Sequence, residues 1–186
     1  MRVHKTKLTG LLIIEPATFP DARGYFFESF NNRKFSEAGI DYTPVQDNES
    51  SSCRGVIRGL HYQEDPFAQA KLVRVIEGEI YDVALDLRIG SPTYGKWYGL
   101  KIDSKAKNQL FIPKGFAHGF SVLSEKAIVL YKCDNYFSPN HDRGINVKDT
   151  TLGIDWMIEA GKEIISAKDL KQPSFSEVTS YYTFKG

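Results

Sequence analysis

At 186 residues the chain is long enough for one well-buried domain and short for two. Its 24 lysines plus arginines nearly balance 23 aspartates plus glutamates, and basic residues form no extended run, which excludes a global attraction to nucleic acid or to an anionic membrane. Any anionic partner must be held locally.

The N-terminal apolar run Leu11-Leu12-Ile13-Ile14 is shorter than a signal-peptide core of about 7–15 residues or a membrane span of about 20, and Pro16 follows it closely. Cys53 and Cys133 match neither a disulfide framework nor a zinc spacing. Both features predict a cytoplasmic protein with reduced thiols and no membrane partner. In chain order, KLTGLLIIEP and RGYFFESF read as strands, and NRKFSEAG at 32–39 as a helix that stops at Gly39. The strands GVIRGLHYQ, KLVRVIEGEIYDVALDLR, WYGLKID, NQLFIP, GFSVLS and AIVLYKCDNYF follow, their regular spacing predicting an all-β sandwich or barrel. LGIDWMIEAGK has a weak helical pattern, and residues 173–186 read as a C-terminal tail or an edge strand of a single domain spanning 1–186.

Two segments carry chemistry. In EIYDVALDLR, Tyr81, Val83, Leu85 and Leu87 alternate with Ile80, Asp82, Ala84 and Asp86, so one face is apolar and the other carries acids. In GVIRGLHYQ, strict alternation would point Arg58 and His61 in opposite directions. Gly59 lies between them, and a glycine inside a strand pattern often marks a bulge that resets the alternation. A bulge there would aim a permanent cation and a titratable imidazole into one cavity.

FIPKGFAHGF contains P-x-G-x-x-H, which resembles the second conserved motif of cupins, the double-stranded β-helix jelly rolls. The first cupin motif would need further metal ligands where this chain has His61-Tyr62-Gln63, and tyrosine and glutamine replace imidazole poorly at a transition metal. A cupin-type jelly-roll β-sandwich without metal is therefore expected. Taken alone, His61 reads equally as a hydrogen-bonded histidine at a sheet end or as a base, and Tyr131 reads as a core aromatic or as a proton donor.

Taken together, DARGYFFESF, VQDNESSSCRGVIRGLHYQ, KLVRVIEGEIYDVALDLRIGSPTYGKW, FIPKGFAHGFSVLSEKAIVLYK and SAKDL resemble the dTDP-4-dehydrorhamnose 3,5-epimerase family from about residue 7 to residue 172. The resemblance implies epimerisation at carbons 3 and 5 of a dTDP-linked 4-keto-6-deoxyhexose, with neither metal nor nicotinamide, by a homodimer. It implies His61 as base, Asp169 as its dyad partner, Tyr131 as proton donor, and Arg58, Lys71 and His118 lining the sugar pocket. It also implies that Arg23, Glu28, Gln46, Asp47, Asn48 and Lys168 bind the nucleotide sugar, the N-terminal set crossing a dimer interface built partly from residues 1–50. Phe137 stands where the family often has tyrosine or tryptophan, and Asp142 where it often has glutamate. The alternatives are a sibling epimerase acting on one carbon or another nucleotide sugar, a metal-dependent cupin isomerase or dioxygenase, and a catalytically silent sugar-binding jelly roll.

Overall fold

Alternating strands dominate the computed structural model, which describes residues 1–179 and 182–184. Strands β1 (Arg2–Lys5) and β2 (Leu12–Glu15) precede a hairpin of β3 (Thr18–Asp21) and β4 (Gly24–Phe27), then the short helix α1 (Asn32–Glu37). The body comprises β5 (Gln46–Cys53), β6 (Val56–Gln63), β7 (Lys71–Glu77), β8 (Glu79–Asp86), β9 (Trp97–Asp103), β10 (Gln109–Ile112), β11 (Phe116–Val122) and β12 (Lys126–Cys133). After these come β13 (Asp142–Gly144), β14 (Ile164–Ile165) and helix α2 (Ala167–Leu170).

Two sheets face each other in a cupin-type jelly roll. The first has the order β1-β2-β10-β7-β12-β5, and the second the order β13-β6-β11-β8-β9, with β14 added in parallel to β6. Between them lies a core of Val73, Val75, Leu110, Ile112, Ala127 and Val129 from the first sheet against Ile80, Ala84, Ile102, Phe116, Phe120 and Val122 from the second. Fully burying a Leu, Ile or Val side chain contributes about 1.5–3 kcal/mol each, which makes this layer the rigid frame of the interior.

The outer faces are covered too. Phe35 of α1, with Ile40 and Tyr42, packs on Ile14, Leu72 and Phe111. On the other side Ile145, Val147 and Trp156 cover Tyr81, Val83 and Leu85. The two faces of β8 differ as expected, one apolar and one carrying acids, but both are buried, and the acid-bearing face, with Asp82 and Asp86 at 0% exposure, points inward. Asp86 is neutralised by Arg88, whose Nε and Nη2 donate to it at 2.8 and 2.7 Å.

Helix 32–39 and its stop at Gly39, which sits at φ 75°, match expectation. LGIDWMIEAGK does not: it is a string of turns, with Met157 at φ 56° and Trp156 Nε1 donating to Val147 O at 2.9 Å. Burial of that one tryptophan, rather than a helical face, fixes the segment. In the C-terminal tail, Phe175–Glu177 form a 3-10 turn and Thr183 bridges Ile89 in parallel, while the expectation for 180, 181, 185 and 186 lies outside the described residues.

Candidate active site

The register of β6 against β11 answers how Arg58 and His61 come to share a face. His61 lies opposite His118 and Arg58 opposite Phe120, so three steps along β6 match two along β11. The extra residue is the bulge expected at Gly59. Only glycine fits there: φ is +123°, and a Cβ would stand 2.5 Å from Gly119 Cα. The Arg58 guanidinium is steadied by Nε donating to Ser52 Oγ at 3.0 Å.

His61 Nε2 meets Asp169 Oδ1 at 2.7 Å, joining residues 108 positions apart. Ser166 caps α2 by accepting from the Asp169 N–H at 3.0 Å, which fixes where that carboxylate stands. Burial works against charge on Asp169, yet the His61 hydrogen bond and charge, the Ser166 hydroxyl and the Gly59 N–H hold its carboxyl below the usual range. An ionised carboxylate only accepts, so Nε2 carries the hydrogen and Nδ1 keeps the free lone pair. The result is an oriented base, 33% exposed at the side chain.

The facing sheet supplies the complementary chemistry. Register pairs Asn48 with Tyr131, Tyr131 with Val73, and Cys133 with Lys71, so Asn48, Tyr131, Cys133 and Lys71 share the inward face of β5, β12 and β7. Burial raises the Tyr131 phenol above its usual range, as do Cys133 and Asp142, with Arg58 pulling the other way. The phenol is therefore protonated at neutral pH and able to donate. Burial pushes the Lys71 ammonium below the usual lysine range, opposed by Cys133, Asp142 and Asp82. Part of Lys71 still reaches solvent, so the crowding acts on a side chain that opens to the interior. Cys133 is held up as a neutral thiol by burial, and Asn48 Nδ2 approaches its Sγ at 3.7 Å.

Other expected site residues fall into four groups. Gln46 joins the inward row, bonding Asn48 Oδ1 at 3.0 Å and accepting from the Phe137 N–H at 2.9 Å. Phe137 is 53% exposed, and Lys168 pairs with Asp142, whose charge acts on Lys71 and Tyr131. Strand alternation turns the Asp47 side chain outward, where it pairs with Lys132 at 2.8 Å, and leaves its backbone in this row. Arg23 and Glu28 are engaged locally: Arg23 bonds Asp21 within its own hairpin at 2.6 Å, and Glu28 pairs with Lys34 at 2.7 Å. On the metal question, Gln63 spends its amide on Phe67 O, Tyr136 O and Ser138 N.

His118 carries a partner that sequence reasoning missed. Its Nε2 lies against Oδ1 of the fully buried Asp82, while Oδ2 of Asp82 has no hydrogen-bond partner among the described residues. The signal was present in the acid-bearing face of β8, but that the face is interior required the fold. Ser52 and Ser166, which steady Arg58 and Asp169, had no distinguishing signal in sequence.

A family model described as dTDP-4-dehydrorhamnose 3,5-epimerase matches residues 5–177. The chain is 52% identical over 169 residues to a dTDP-4-dehydrorhamnose 3,5-epimerase of Methanothermobacter thermautotrophicus, covering 90% of this chain and 91% of the relative. It is 48% identical over 176 residues to that of Shigella flexneri, covering 94% and 96%. Among solved structures, a dTDP-6-deoxy-D-glucose-3,5-epimerase from Legionella pneumophila, in complex with dTDP-4-keto-L-rhamnose, superposes with a TM-score of 0.94 at 41% identity, covering 100% of this chain and 99% of that one.

Proposed function

We propose that this chain, which belongs to the dTDP-4-dehydrorhamnose 3,5-epimerase family, inverts carbons 3 and 5 of dTDP-4-dehydro-6-deoxy-D-glucose to give dTDP-4-dehydro-L-rhamnose. The observation that carries this reading is the His61–Asp169 dyad on one sheet facing protonated Tyr131 on the other. A ketone at carbon 4 acidifies the hydrogens on both neighbouring carbons. His61 Nδ1 takes one as a proton, and the C–H electron pair moves through the new double bond onto the carbonyl oxygen. Lys71 and Arg58 supply positive charge for that oxygen, a preorganised stabilisation worth about 3–4 kcal/mol per donor in other enzymes. Tyr131 then returns a proton to the opposite face of the carbon. Nothing is oxidised or reduced overall, so the reaction calls for no nicotinamide, and the two cations do the work a metal would otherwise do.

Incubation with dTDP-4-keto-6-deoxyglucose in deuterated water, followed by NMR, tests the assignment. Deuterium is expected at carbons 3 and 5. Label at one carbon alone would make the protein a single-carbon epimerase, and no label would remove the epimerase reading.

The reading extends to a homodimer. The β3–β4 hairpin joins neither sheet and exposes Phe19, Tyr25 and Phe26 at 60%, 57% and 70%. Unpaired strand edges and exposed aromatics of this kind are association surfaces, and a two-fold arrangement would carry Arg23 and Glu28 to the site around the partner subunit's His61. Mixing inactive Arg23→Ala and inactive His61→Ala proteins under subunit exchange is expected to restore activity, because one of the two sites in each heterodimer regains both residues. Mixtures that stay inactive despite proven exchange would rule out the shared site.

No helix among the described residues is long and apolar enough to cross a membrane. With Cys53 and Cys133 both free, the reading places the protein in a reducing cytoplasm, where its nucleotide-sugar substrate would be made.

A further inference from the structure

Lys71 presents an electrostatic problem. It makes no ion pair among the described residues, and the burial around it favours the neutral amine. A neutral amine would be a poor partner for an enolate oxygen. Three acidic groups raise its proton affinity: Cys133 on β12, Asp142 on β13 and Asp82 on β8. They differ in how much charge they offer. Burial keeps Cys133 as a neutral thiol at neutral pH, so it contributes a dipole and no charge. Asp142 is already paired with Lys168. The neighbouring Tyr131 is a protonated phenol, and Arg58 adds only positive charge.

Asp82 remains. It is 0% exposed, it meets His118 through Oδ1, and Oδ2 has no hydrogen-bond partner among the described residues. A buried carboxylate with one unused oxygen is costly unless a cation answers it. Ile80, Asp82 and Ala84 point from β8 into the interior that Lys71 enters from β7, so the two groups face one space from opposite sheets.

We infer that Asp82 is a positioning residue for the epimerisation: its buried carboxylate is the counter-charge that keeps Lys71 an ammonium, while its other oxygen orients the His118 ring. This rests on the reading of Lys71 as the cation that meets the enolate oxygen. Asp82 touches no reacting atom and acts through Lys71 and His118.

Asp82→Asn separates the two duties, because the amide oxygen still accepts from His118 while the charge is gone. Removing a negative neighbour disfavours the ammonium, so the Lys71 pKa falls. The alkaline limb of kcat/KM is expected to move to lower pH, because an opposite charge near the ammonium favours its charged form. A merely structural Asp82 would lower activity evenly and leave the limb in place, and that result overturns the inference. A 15N NMR titration of Lys71 Nζ, assigned with Lys71→Arg, reads the same quantity without turnover. The expected result is a lower Nζ pKa in Asp82→Asn than in wild type. If the variant does not fold, the wild-type chain still tests the inference: Lys71 neutral at pH 7 overturns it. Failure of wild-type protein to exchange deuterium would instead strike at the epimerase reading, with the NMR titration still able to judge Asp82.

Discussion

His61→Ala is expected to abolish deuterium exchange at both carbons, a loss of about 10²–10⁴-fold set by the usual contribution of a general base. Nucleotide binding should stay within a few-fold of wild type. The two expectations separate because the proposed mechanism asks the imidazole to remove protons and not to hold the nucleotide: its Nε2 is committed to Asp169 at 2.7 Å, and only Nδ1 is left for chemistry. The Asp169 carboxyl lies below the ordinary range, so it stays ionised through neutral pH and keeps His61 in the working tautomer. Isothermal titration with dTDP and NMR exchange on the same protein provide the two readings. Exchange that persists at a substantial fraction of the wild-type rate would remove His61 from the role of base.

How much of this site is legible in the sequence depends on whether function respects or breaks the strand pattern. The bulge at Gly59 is legible because a glycine interrupts an otherwise regular run, and the register of His61 and Arg58 against β11 bears it out. Strand β5, QDNESSSC, is not legible as a strand: it carries no aliphatic or aromatic residue, because its inward positions Gln46 and Asn48 face a polar interior. A polar interior here overrides the hydrophobic alternation on which strand recognition depends. The same period-two rule, applied strictly, would have set Asp47 apart from its two neighbours, since it must face the other way and does, toward Lys132. Contact between Asp169 and His61, implied by the family resemblance, has no trace in the local pattern for a different reason. It is made by a short capped helix docking on β6, a tertiary event with no local signature. Asp82 was visible as an acid in a strand, but its importance comes from a second sheet closing over it.

Tyr131→Phe is expected to uncouple proton removal from inversion. The substitution removes one hydroxyl and leaves the packing of the ring against the core nearly unchanged, so loss of fold is not the anticipated outcome. What disappears is the acid on the sheet facing His61. The base remains oriented by Asp169, and Lys71 and Arg58 remain to stabilise the enolate, so exchange with solvent can continue. The enolate is then reprotonated mainly from the His61 side, which restores the original configuration. Product formation should fall by about 10²–10⁴-fold, the scale of a lost general acid, while deuterium wash-in at the same carbon falls far less. The measurement is a single NMR time course that follows both product peaks and residual proton signals of the substrate. Equal losses in the two would mean that the phenol also assists enolate formation. That outcome has a physical route, since the phenol lies in the field of the Arg58 guanidinium. The ratio of exchange to inversion in this variant therefore measures how completely the two sheets divide the labour of base and acid.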